Sequence, residues 1–153
     1  MLNYRLADSS DAEECITLRE RTRENAISAS NLASLGITAT SWGNAIQTGR
    51  LAGHVCTVNG RIIAYCFGDK DSGEILVLAV LPQYESRGIG KALLSKVMEE
   101  LRGLGHARLF LACSSDPAHR SYGFYRYLGW GPTGLFDAND DEVLEFLTRD
   151  SGD

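Results

Sequence analysis

The clearest chemistry in this chain lies at residues 85–91, Glu-Ser-Arg-Gly-Ile-Gly-Lys, where Gly88 and Gly90 stand beside Arg87 and Lys91. They follow the apolar run Glu-Ile-Leu-Val-Leu-Ala-Val-Leu (74–81) and Pro82. Glycines that close together forfeit backbone entropy, and a packed domain gains nothing from them unless something must approach its backbone. Beyond Gly88 the apolar residues Ile89, Leu93, Leu94, Val97, Met98 and Leu101 repeat at three and four positions, which predicts a helix. Such a helix points its unpaired first-turn N–H groups, and its partial positive charge, back into the loop. With no Cβ at 88 or 90 to hold an anion off those amides, and with Arg87 and Lys91 adding full charges, the spacing predicts a phosphate site. It is not a P-loop, which needs GxxxxGK followed by Ser or Thr. It is not a dinucleotide fingerprint either, because the third glycine is missing and the preceding strands read as a hairpin.

The totals set the frame. The 153 residues read most simply as one domain spanning 1–153. A composition of 44% hydrophobic and 23% charged residues is that of an ordinary globular protein. A net charge of −5 argues against nucleic acid and anionic membrane as partners. The N-terminal residues carry neither a basic nor an apolar signal region, and no apolar run is long enough to span a bilayer, so a cytoplasmic chain is expected. Cys15, Cys56, Cys66 and Cys113 lack metal-ligand spacing, so no metal is expected. A two-residue turn at Asn59-Gly60 sets Val58 opposite Arg61 and Ile63 opposite Cys56, which puts Cys56 and Cys66 out of register for a disulfide. Free thiols are expected.

Several elements must hold the loop in place. Tyr4–Ala7 reads as a first strand, and Asp8, Ser9 or Ser10 can cap a helix over about 11–24. Residues 25–40 read as a partly helical loop before a short helix from Ser41, capped by Thr40 or Ser41 itself. Leu51–Val58 and Arg61–Gly68 form the hairpin around Asn59-Gly60. The apolar run 74–81 is expected at the centre of a sheet covered on both faces. After the helix from Gly88, which ends near Gly103–Gly105, come a strand over 107–113, a helix over 117–128 closed by Gly129, and two strands flanking the acidic turn 137–141.

Ala-Val-Leu-Pro-Gln-Tyr-Glu-Ser-Arg-Gly-Ile-Gly-Lys-Ala-Leu-Leu (79–94) resembles the acyl-CoA-binding motif of the GNAT N-acetyltransferase superfamily, Q/R-x-x-G-x-G/A after a strand ending V-x-P. Ser-Tyr-Gly-Phe-Tyr-Arg-Tyr-Leu-Gly-Trp (121–130) resembles the family's second motif, A-x-x-F-Y-x-x-x-G-F/W, and the element order agrees over nearly the whole chain. The resemblance implies an α/β fold: a mixed, mostly antiparallel sheet of six to seven strands, flanked by about four helices and splayed in the middle for the CoA arm. It implies acetyl-CoA as co-substrate and an amine acceptor from a small molecule or peptide, and it raises a homodimer, since many relatives dimerise. The backbone of Leu78, Ala79 and Val80 would pair with the pantetheine arm, and the amides of Ser86, Arg87, Gly88, Ile89, Gly90 and Lys91 would hold the pyrophosphate. The backbone near Val80 would polarise the thioester carbonyl. Tyr125 falls on the family's frequent general acid, and a phenol of pKa about 10 suits proton donation to a thiolate of comparable basicity.

Some positions depart from the motif. Glu85 stands where it asks for Gln or Arg, Ala118 where Asn is frequent, and Ser121 where Ala is. Cys113 occupies a place where acetylases of ribosomal-protein N-termini carry Glu. The acceptor ammonium needs a base. Glu74, eleven residues ahead of the motif's first position, resembles the catalytic Glu of histone-type members and competes with an ordinary strand-end role. His54 is the alternative, with His119 and His106 behind it. Trp42, Glu20, Arg23 and Asn25 are candidates for lining the acceptor pocket, with the role of a core anchor the favoured alternative for Trp42. A non-catalytic acyl-CoA-binding module remains the rival function.

Overall fold

A computed structural model describes residues 1–23 and 26–148. The first strand, β1 (Leu2–Leu6), runs into a single 3-10 turn at Ser9–Asp11 capped by Asp8, whose side chain accepts from the Ser10 amide while Asp11 accepts from the Asp8 amide. Helix α1 (Ala12–Arg19) follows and stops short of the expected end. The Thr22 hydroxyl donates to the Arg19 carbonyl at 3.1 Å, and the Glu20 carboxylate accepts from the Ala29 amide at 2.6 Å. The Thr22 hydroxyl thereby takes a carbonyl that another helical turn would have used. The expected loop contains a further helix, α2 (Ala29–Ser34), capped by Ser28. Thr38, not Thr40 or Ser41, caps α3 (Ala39–Gln47), because Thr38 and Ser41 form a reciprocal capping box. Five α-helices therefore stand among the described residues where about four were expected.

Strands β2 (Leu51–Val58) and β3 (Arg61–Asp69) form the hairpin with Asn59 and Gly60 both left-handed. A bulge slips the register, so Cys56 faces Ala64 rather than Ile63; Cys66 faces His54 and all four thiols are free. Strand β4 (Ile75–Val80) adds to β3, giving the antiparallel order β1-β2-β3-β4. Helix α4 (Ile89–Gly103) lays Leu93, Leu94, Val97 and Leu101, all essentially inaccessible, against this sheet. The second sheet is β5-β7-β6, from β5 (Arg108–Cys113), β6 (Gly131–Phe136) and β7 (Glu142–Leu147). Helix α5 (Arg120–Tyr127) begins three residues later than expected, since Asp116 ties up the Ala118 amide, and its C-terminal carbonyls are closed by the amides of Gly129 and Trp130.

The two sheets touch through one parallel bridge, Glu74 with Phe110. Beyond it β4 and β5 part. The apolar run 75–80 is therefore an edge strand of its sheet rather than a centre strand, and its exposed member Leu76 (45% accessible) faces an opening. A period-free apolar strand can mean burial on both faces or exposure of one face to a cleft, and only the neighbours distinguish them.

Candidate active site

The split between β4 and β5 opens a cleft of about 560 Å³. Its floor is β4; its walls come from the loop at 84–91, the end of β5, the start of α5 and the segment after α1. The β3–β4 register passes from Val77 to Ile75, so the ladder skips Leu76 at the apex of the split. Such a bulge interrupts pairing and re-aims the strand next to a site. Val80, where polarising backbone was expected, lies opposite Ala64, next to the Leu81–Ile63 pair in which the Leu81 amide bonds the Ile63 carbonyl at 3.0 Å. Antiparallel pairs alternate, so the Val80 backbone groups face the split rather than β3.

At the wide end lies the start of α4. Gly88, its N-cap, has φ +77°, and Ser86 is also left-handed at φ +64°. A non-glycine residue in that region costs about 1–2 kcal/mol, and alternating left-handed residues turn successive amides to one side as an anion-binding nest. Gly90 is different. Its backbone is ordinary, and a Cβ there would meet Phe124, Leu78 and Val80 at 3.6–3.7 Å. All three side chains line the cleft. The missing methyl is therefore missing from the cleft.

Seven of the nine residues expected to hold the cofactor line this space: Leu78, Val80, Ser86, Gly88, Ile89, Gly90 and Lys91. Ala79 is buried behind them, pairing with Tyr65, and Arg87 turns aside to stack over the Tyr84 ring at 5.3 Å. The cleft's cations are Lys91, Arg19, Arg23 and Arg120, against the carboxylates Glu85 and Asp141. Glu85 is held by Arg23 (2.9 Å) and lies 3.6 Å from Arg120, so its charge is offset within the wall.

Tyr125 lines the cleft from α5, 8% exposed and packed edge-on against Phe124 and Trp130. Burial, with Cys66 and Cys113 adding to it, raises its phenol well above the ordinary range. Cys113 also lines the cleft, its thiol pushed up to about 11 by burial, which keeps it protonated and a poor nucleophile.

The base candidates divide. Glu74 sits at the closed end of the split, one residue before the lining residue Ile75, and is not itself part of the lining. Burial first, then Asp69 and Asp137, raise its carboxyl. His54 binds Glu100 at 3.0 Å and His106 binds the Lys70 carbonyl at 2.6 Å, both away from the cleft lining. His119, ranked behind His54 on sequence, does line it, with Nδ1 2.6 Å from Ser114 Oγ. Asp141 belongs in sequence to an acidic turn, yet it lines the cleft and its carboxyl is raised by burial and by Asp137 and Asp140. Its position depends on β7 pairing Glu142 with Cys113, which no local signal reports. Arg23 lines the cleft; Glu20 instead anchors α2, Trp42 borders a neighbouring cavity, and Asn25 lies outside the described residues.

A model of the acetyltransferase (GNAT) family matches residues 10–130. The chain belongs to the GNAT family. Among curated relatives of this GNAT chain, an amino-acid acetyltransferase of Neisseria meningitidis serogroup A is 46% identical over 84 residues, 55% of this chain and 17% of that protein. An amino-acid acetyltransferase of Pseudomonas aeruginosa is 36% identical over 80 residues, 50% of this chain and 17% of that protein. The matched segment thus spans about a sixth of the length of these relatives. Among solved structures, the PaiA N-acetyltransferase of Thermoplasma acidophilum, in complex with coenzyme A, superposes with TM-score 0.79 at 16% identity, over 97% of this chain and 99% of that one. A GNAT acetyltransferase of Streptococcus pneumoniae gives 0.73 at 15% identity, over 97% and 100%. These likenesses show a mixed α/β GNAT fold: two antiparallel sheets of four and three strands, split at their junction.

Proposed function

We propose that this chain transfers the acetyl group of acetyl-CoA directly to a primary amine of a small molecule or peptide. The observation that carries the proposal is the cleft itself, running from an amide nest at a helix N-terminus, past a strand edge, to a buried tyrosine. The residues suit such a co-substrate. The methyl absent at Gly90 leaves a cradle among Leu78, Val80 and Phe124, and four cations face two carboxylates. Ser86 to Lys91 would hold the diphosphate with backbone amides, and the β4 edge would hold the pantetheine arm as an added strand. When bound, acetyl-CoA supplies the activated thioester.

The chain's own groups then move the protons. An N–C bond forms as the C–S bond breaks, with the attacking nitrogen shedding its surplus proton to water as the amide forms. Two transfers call for protein groups: the loss of a proton from the acceptor ammonium before attack, and the gain of one by the sulfur. We assign the second transfer to Tyr125; the burial that raises its phenol would raise the basicity of a thiolate beside it as well, keeping donor and acceptor matched. We assign the first to Glu74 acting through water, its raised carboxyl being the stronger base for it. Asp141 is a second candidate for that role, favoured by its place in the cleft lining. An amino-acid acceptor is supported by the names of the relatives and by Arg19 and Arg23 at the α1 end of the cleft, where a carboxylate could be received.

The test is CoA-thiol release from acetyl-CoA across amino acids, polyamines, aminoglycosides and short peptides. Tyr125→Phe should slow the best acceptor about tenfold or more, the scale of general-acid catalysis, with unchanged acetyl-CoA affinity. An unaffected rate removes Tyr125 from the mechanism. Acetyl-CoA binding with no release to any amine favours a non-catalytic acyl-CoA-binding module. Glu74→Gln and Asp141→Asn separate the two bases by which one abolishes the acidic limb of the kcat/KM profile.

A further inference from the structure

A second cavity, of about 310 Å³, lies against the first. The two share Arg19, Leu76 and Val77, so they meet where the β3–β4 ladder skips a residue. The far wall is built by α2, the turn after it, α3 and β3 through Leu32, Ile37, Trp42, Ala45 and Phe67. Its surface is almost wholly apolar. Ser41 is turned away into hydrogen bonding, donating to the Gly36 carbonyl at 2.9 Å. Two large side chains remain unusually open here, Leu76 at 45% and Ile37 at 38%. Apolar surface left open beside a polar cleft marks a place where something apolar binds.

The wall is also firm. Trp42 stands edge-on to Phe67 at 5.1 Å and to Tyr65 at 5.7 Å, and Tyr65 to Phe67 at 5.7 Å. Helix α3 is fixed by its capping box, and α2 by the bond from Ala29 to Glu20. A pocket held this way is formed before its ligand arrives. An apolar cavity of about 150 Å³ is enough to take a benzene molecule, so this one has room for a phenyl or indole group and its linker.

We propose that the acceptor is a primary amine bearing a ring-sized apolar substituent. The substituent occupies this second cavity and the amine emerges at Leu76–Val77 into the cleft. The proposal rests on the acetyl-transfer reading and adds the class of acceptor. A short or strongly polar amine leaves the cavity wet and gains nothing from it. Burying a phenyl-sized group is worth about ten- to a hundredfold in kcat/KM.

The experiment compares 2-phenylethylamine and L-phenylalanine with ethylamine and glycine as acetyl acceptors, with L-glutamate and spermidine as polar references. At least one ring-bearing amine should exceed its short counterpart about tenfold or more in kcat/KM, and Ala45→Phe, which fills the cavity from α3, should erase that advantage. Ile37→Asp, at a partly exposed position that tolerates a polar residue, should weaken the same acceptor without changing acetyl-CoA affinity. Ratios near one, or preference for glutamate or spermidine, overturn the proposal while leaving acetyl transfer intact. If no amine is acetylated, the transfer reading fails separately. Titration of the acetyl-CoA-loaded protein with 2-phenylethylamine, followed calorimetrically, then decides the cavity: saturable binding lost in Ala45→Phe upholds it, and no binding overturns it.

Discussion

Gly90→Ala sets two consequences of one methyl group against each other. In the folded chain the new Cβ would lie 3.6 Å from Phe124 Cζ and 3.7 Å from Leu78 Cδ2 and Val80 Cγ2, which is ordinary contact. Gly90 is the second residue of α4 and its φ is not positive, so alanine needs no backbone change. Helix propensity then favours the variant by up to about 1 kcal/mol, which for a chain of this size raises Tm by roughly 2–4 °C. The same methyl projects among three cleft-lining side chains, in the space assigned to the cofactor. If it displaces one charge-assisted hydrogen bond between an amide and the diphosphate, the loss is about 1.5–3 kcal/mol, or roughly ten- to 150-fold in Kd. Calorimetric titration with acetyl-CoA, paired with a thermal melt, reads both quantities on one sample. Gly103→Ala is the control: it lies at the other end of the same helix with nothing within 4 Å, and should leave Kd unchanged. A more stable Gly90→Ala protein that binds acetyl-CoA within threefold of wild type would refute the assignment of this space to the cofactor.

Two further expectations concern pH and stability. Asp11 accepts two hydrogen bonds from the Arg5 guanidinium, at 2.8 and 2.9 Å, and one from the Asp8 amide, which together hold its carboxyl below the usual range. Because the folded value is lowered, the stabilisation is present above the unfolded pKa of about 3.9 and is lost as pH falls through the folded one. Asp11→Ala should therefore cost about 1–3 kcal/mol at neutral pH, and chemical melts should show the gap to wild type closing in acid. Glu74 has the opposite sign. Burial and the neighbouring Asp69 and Asp137 raise its carboxyl, so the charged form opposes folding and stability falls as pH rises through the raised value. Glu74→Gln should match wild type in Tm below about pH 4 and exceed it at pH 7; an advantage that persists unchanged into acid would contradict this account.

Much of the fold was legible because its signals are local. Asn59-Gly60 places a hairpin by backbone preference alone, and both residues are left-handed. The three-and-four spacing from Ile89 to Leu101 identifies α4 and the face it buries. Where side chains compete with the backbone, local reading failed: Thr22 takes the Arg19 carbonyl where α1 ends early, Asp116 delays α5, and the Thr38–Ser41 box starts α3 ahead of the expected cap. In the loop at 84–91 the residue types were legible while their directions were not. Gly88 and Ser86 both turn left-handed, whereas Arg87 stacks over the cleft-lining Tyr84 without lining the cleft itself.

By itself, then, the sequence determined the order of the strands and of the helices other than α2, the amide-rich turn between β4 and α4, and the place of Tyr125 on a helix after β5, since each depends on residues within a few positions of one another. Only the tertiary structure decided that β4 is an edge strand at a split, that the ladder skips Leu76, and that Asp141 and His119 reach the cleft while His54 and His106 do not. It also decided that α2 and α3 enclose an apolar cavity against Leu76. Those outcomes turn on which strand lies opposite and which helix packs above, contacts between segments far apart in the chain that no short window of residues can encode.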